Sequence, residues 1–184
     1  MWIYFILLMI IAGLQLWYFH KPLTYLYFNE SHFHKEIHQQ FEIDLLLGLV
    51  IAWIVISLSR YVSTHTQWGQ RIDDDFTSIF QGMPKYYLSG LAVMSALCEE
   101  VVFRGFLQSY LGLTWTSLLF GALHIPMQKH HWPWTMAACI MGFVFGVCYE
   151  WRATLTAPLI AHFTINYFNL HALAQRTPTG SDHS

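Results

Sequence analysis

Three charged residues interrupt an apolar stretch. In "ALCEEVVFRGFLQ", Glu99, Glu100 and Arg104 are flanked on both sides by residues suited to lipid. An ionised carboxylate at mid-bilayer costs roughly 2.5–3.5 kcal/mol even on insertion scales. Glu100 and Arg104 are four apart and share a helix face, so they can neutralise one another. Glu99 points about 100° away. An unpaired intramembrane carboxylate is either protonated or aimed at other polar groups, and such a carboxylate can serve as a general base.

Two more polar pairs follow at helical spacing. "FGALH" places Phe120 and His124 four apart, and "HFTIN" does the same for His162 and Asn166. Three helices thus each present one polar edge. Packed together, they enclose a small polar cavity. The inventory suits peptide hydrolysis: a carboxylate to deprotonate water, a histidine to orient it, and a histidine and an amide to hold the oxyanion. Pro126 and Pro158 are expected to bend the helices nearby.

The elements that must carry these residues are apolar throughout. Of 184 residues, 55% are hydrophobic, 17% aromatic and 11% charged, against about 25% charged in ordinary soluble domains. The reading is an all-α, polytopic membrane helix bundle with about six transmembrane helices. The spans are expected near 1–19, 43–62, 84–111, 112–126, 133–151 and 153–174, bracketed by tryptophans and tyrosines as interfacial belts are. Residues 1–83 read as two N-terminal spans with polar loops, 84–174 as the core, and 175–184 as a disordered tail. The segment 63–75, with Asp73, Asp74 and Asp75, reads as a solvated loop, and His130 with His131 as an interface turn. The N-terminus lacks a basic region and a cleavage site, so it reads as a retained span. Lysine and arginine placement slightly favours a cytoplasmic N-terminus. A net charge of −2 excludes a basic nucleic-acid surface. Cys98, Cys139 and Cys148 are odd in number and lie in apolar runs, which reads as burial rather than disulfides. Two adjacent glutamates oppose ionisation of Cys98 as a nucleophile.

Glu99-Glu100-x-x-x-Arg104, Phe120-x-x-x-His124 and His162-x-x-x-Asn166, in that order, resemble the three motifs of the CPBP (Abi) family of intramembrane proteases, which includes the type II CAAX prenyl endopeptidases. The resemblance covers roughly residues 84–173. It implies an all-helical, multi-pass integral membrane endopeptidase, in the cell inner membrane if the source is bacterial, acting on a membrane-associated protein or peptide near its C-terminal end. That substrate could be a prenylated peptide, a sorting anchor or a peptide precursor. By the family pattern, Glu99 and His124 activate water, His162 and Asn166 stabilise the oxyanion, and Glu100, Arg104 and Phe120 support the site. Exchanged roles for the two glutamates also fit the helical wheel.

Metal is an alternative. Glu99, His124 and His162 could hold a catalytic zinc with one open position. Asn166 is a poor zinc ligand and a good oxyanion donor, and no HExxH pairing exists, so a metal-independent mechanism is favoured. His32, His34 and His38 have metal-like spacing, but a solvated loop is the simpler reading. Other functions compete. A proton-coupled transporter would use the same glutamate and histidines as a relay, yet no internal repeat is visible. A b-type haem on His124 and His162 would leave Glu99, Glu100, Arg104 and Asn166 unused. An immunity or scaffold protein of the same fold would have no need of intact motifs.

Overall fold

The computed structural model describes residues 2–28, 41–124 and 128–176. The chain is all-helical. Helix α1, Trp2–Gly13, continues into a π-helical turn at Leu14–Tyr18, and a 3-10 turn follows at Leu23–Leu26. Then come α2 (Phe41–His65), α3 (Gln67–Phe80), α4 (Lys85–Glu100), a π-helical segment (Val101–Leu107), α5 (Gln108–Ala122), a 3-10 turn (Lys129–His131), α6 (Trp132–Arg152) and α7 (Thr156–Gln175). Helix α7 packs along both α2 and α4, and α5 packs along α6.

Two of these helices, Phe41–His65 and the stretch Lys129–Arg152, are long and apolar enough to cross a membrane, and Trp2–Tyr18 is a shorter apolar helix. Only 17% of the apolar stretch of α2 is buried. Leu46, Trp53, Ile54 and Leu58 all face outward. A core helix of a water-soluble protein buries such residues, so this surface fits contact with lipid.

The third and fourth expected spans form one helical path broken at Gly112, where φ is 72° and ψ is 170°. Only glycine occupies that region freely, so the kink lets α5 turn back onto α6. The π-helical segment precedes it. Within it, a Cβ on Gly105 would stand 2.0 Å from the Leu26 carbonyl oxygen. The N-terminal 3-10 turn therefore seats directly on the backbone that follows the paired glutamates.

Two expectations are corrected. The segment 63–75 is not a loop: it holds the end of α2 and the first nine residues of α3, which is opened by Thr66, whose hydroxyl accepts the Gly69 amide at 3.1 Å. Apolar Ile72 and buried Thr77 face inward on one side of it, an amphipathic pattern hidden by the run of aspartates. Pro158 does not bend a helix: it sits in the first turn of α7, where no intrahelical amide is needed. Pro126 lies outside the described residues, as do His32, His34, His38 and the tail from 177 onward.

A buried polar network closes the bundle at one end. Asp44 of α2 is 1% exposed and accepts hydrogen bonds from Arg152 Nε and, at 2.8 Å, from the Thr154 hydroxyl. Leu155 N donates to Tyr27 O at 3.0 Å, tying the N-terminal region to the start of α7.

Candidate active site

The site grows from the end of α4. Glu100 is fully buried, and its Oε1 accepts from Arg104 Nη1 at 3.0 Å and from His162 Nδ1 at 2.7 Å. The expected i, i+4 pair is therefore present, with His162 of α7 as a third member. Arg104 also donates to Gly142 O of α6 at 3.2 Å. Its guanidinium lies 4.5 Å from the Phe120 ring centroid and 5.3 Å from that of Phe145, a favourable cation–π setting. This arrangement joins α4, α6 and α7 through one buried ion pair.

Glu99 faces elsewhere. Its Oε2 is buried and has no hydrogen-bond partner among the described residues. Two imidazole nitrogens approach it, His124 Nε2 at 4.0 Å and His162 Nε2 at 3.8 Å. Both distances are too long for direct hydrogen bonds and leave room for a bridging water.

The tautomers follow from the opposite ring nitrogens. His124 lies just beyond α5. Its backbone amide goes to Gly121 O at 2.9 Å, which frees Phe120 O to accept from the imidazole Nδ1 at 2.7 Å. A carbonyl only accepts, so Nδ1 carries the proton and neutral His124 presents a lone pair at Nε2. The Thr135 hydroxyl of α6 donates to His124 O at 2.7 Å, and Trp134 packs against the ring. The same logic applies to His162, whose Nδ1 faces Glu100. Neutral His162 therefore accepts at Nε2, and it donates there only as an imidazolium.

Asn166, one turn after His162 on α7, is tied to α4. Its Nδ2 donates to the hydroxyl of Ser95 at 3.0 Å. Ser95 lies one helical turn before Glu99 on α4 and is buried. Nothing in its local sequence marks it; the clue is only its i, i+4 spacing to Glu99. Cys98 points away from the site, toward Tyr4 O at 3.6 Å.

The order and spacing of these residues have counterparts. Residues 82–168 match the family described as type II CAAX prenyl endopeptidase Rce1-like. The matched region resembles that family over just under half of the chain. The match bears out the resemblance carried by the three motifs, all of which fall inside this endopeptidase-like region. A protein of Bacillus subtilis (strain 168), printed as "Uncharacterized protein YpbD", is 38% identical over 76 residues, or 41% of this chain. The chain spans 40% of the length of that relative. No solved structure matches.

The endopeptidase-like region bears on metal through its spacing. The donor types of Glu99, His124 and His162 suit zinc. Two ligands of one zinc, each about 2.1 Å from it, stand at most about 4.2 Å apart. Among the described residues, the group whose three ligand atoms all lie within 4.8 Å of one another is Asp75, His130 and His131. Glu99 Oε2 stands 4.0 and 3.8 Å from the Nε2 atoms of His124 and His162.

Proposed function

We propose that the chain is a multi-pass intramembrane endopeptidase in which Glu99 activates a water held between itself, His124 and His162. The observation that carries this reading is the buried, unpartnered Glu99 Oε2 with two imidazole Nε2 atoms at 4.0 and 3.8 Å. A water at that point donates one hydrogen to the carboxylate and the other to an imidazole lone pair. Glu99 takes the proton as the oxygen attacks the peptide carbonyl, and that same proton passes from Glu99 by way of His124 Nε2 to the leaving amine. The second amide hydrogen of Asn166 donates to the oxyanion, joined by His162 in its protonated form. Glu100, Arg104 and Phe120 hold the helices in register.

The substrate is a membrane-associated protein or peptide cut near its C-terminal end. The six helices Trp2–Tyr18, α2, the α4 path to Gly112, α5, α6 and α7 embed the site in the bilayer, with α3 at its edge. The donor set keeps zinc as a second reading. The test incubates the purified chain in liposomes with co-expressed membrane proteins and reads new C-termini by mass spectrometry. Cleavage products are expected from the wild type and lost in Glu99→Gln at unchanged helicity. Equal products from both would sink the assignment of Glu99.

A further inference from the structure

A second cluster of ligating side chains lies away from the membrane site. His130 and His131, on the 3-10 turn before α6, both direct Nε2 at one oxygen of Asp75 on α3, at 2.7 and 2.8 Å. We propose that Asp75, His130 and His131 form a zinc site that locks α3 to the start of α6.

Four observations support it. The donors are two imidazoles and a carboxylate, a set that zinc takes with water in the fourth position. Their three ligand atoms all lie within 4.8 Å of one another. Zinc bonds of about 2.0–2.1 Å at tetrahedral angles separate ligands by about 3.3 Å, so the present contacts need to open by roughly half an ångström. The rings are already oriented: His131 stacks on Phe76 at 5.8 Å between centroids, and His130 meets His131 edge-on at 4.4 Å. The cluster also has an open side, with Asp75 39% and His130 28% exposed, while His131 is 11% exposed. A cation can therefore enter from solvent. On binding, each imidazole carries its proton on Nδ1 and turns the Nε2 lone pair to the metal, and Asp75 supplies the negative charge.

The site has a route to the membrane histidine. Trp134 packs edge-on against both Phe76 and His124, and Thr135, next in sequence, holds the His124 carbonyl. Zinc here steadies the first turn of α6 and so the backing of His124. A chelator can then lower activity without any metal at Glu99.

The test is zinc uptake by the full chain in detergent, measured by equilibrium dialysis, with cobalt absorption as a spectroscopic check. One zinc per chain is expected, with affinity falling at least about tenfold in Asp75→Asn, since even outer-shell partners act on that scale. His130→Gln gives a second, more exposed position should Asp75→Asn fail to fold, and circular dichroism verifies both variants. Uptake is expected to persist in Glu99→Gln and in a variant with His32, His34 and His38 replaced by alanine. No uptake by the intact chain overturns the proposal. So does uptake that survives both Asp75→Asn and His130→Gln, or that is lost with Glu99→Gln or with the His32, His34 and His38 replacements.

Discussion

At the scale of residues, the two adjacent glutamates differ in what surrounds them. Both leave Oε2 without a partner among the described residues, but Glu100 Oε1 is held by Arg104 and His162 with no exposure, while Glu99 faces the Nε2 atoms of His124 and His162 at 4.0 and 3.8 Å. Removing one partner of a buried ion pair leaves the other uncompensated, at about 3–5 kcal/mol. Arg104→Met is therefore expected to lower the unfolding free energy on that scale in a detergent–denaturant titration. Glu99→Gln should leave it nearly unchanged. Ser95 makes a finer claim. Ser95→Ala removes the acceptor that orients Asn166, and the loss of one hydrogen bond of about 1.4 kcal/mol corresponds to roughly tenfold in rate. The effect should appear in kcat rather than KM and be restored by Ser95→Thr. A purely structural role would instead lower stability at constant kcat. The acid, arginine, histidine and asparagine positions were legible because helical spacing and apolar surroundings isolate them. Ser95 was not, since serine is unremarkable in a helix until its partner, 71 residues away, is known.

At the scale of elements, α3 and the Gly112 kink are the most informative. Gly112→Ala forces a side chain into a backbone region with φ of 72° and ψ of 170°. The expected cost is about 1–3 kcal/mol, readable as a lower midpoint in thermal unfolding. Helix α3 is fastened near its middle by two sets of contacts. Arg176 Nη1 donates to Asp73 Oδ2 at 2.6 Å, and His130 and His131 hold Asp75. The Asp75 carboxyl lies below its ordinary value of 3.8, chiefly through the His130 hydrogen bond, with slight burial opposing and His131 adding to the shift. A carboxyl lowered on folding contributes stability above its unfolded pKa and loses it as pH falls through the folded one. The melting difference between wild type and Asp75→Asn, measured in chelator, should thus shrink as pH falls below about 4. A difference that grows below about pH 4 would contradict this. The helical elements were legible from apolar runs, and the kink at Gly112 falls beside the expected boundary at residue 111. Helix α3 was not, because "RIDDD" reads as a loop until its aspartates find Arg176 and the histidines from distant segments. Asp44 was missed for the same reason, its partners being 108 and 110 residues away.

At the scale of the molecule, the outward faces decide the solvent. Trp53 and Ile54 lie at the middle of α2 and are 70% and 52% exposed. In water such a surface would drive association; in a bilayer it is the ordinary exterior. Ile54→Arg should cost roughly 2.5–3.5 kcal/mol on insertion scales and reduce the carbonate-resistant membrane fraction of the expressed protein. Equal retention would count against α2 as a lipid-facing span. The proposed embedding would put the carboxylates and imidazoles of the site in a dry setting, where each electrostatic contact is strengthened.

The most direct measurement of the central claim compares cleavage by the wild type, Glu99→Gln and Asp75→Asn in liposomes, each with and without a chelator. Activation of water by Glu99 without a catalytic metal predicts no products from Glu99→Gln in any condition. It also predicts products from Asp75→Asn that the chelator leaves unchanged. Products from Glu99→Gln, or complete loss of Asp75→Asn products on chelation, would contradict it.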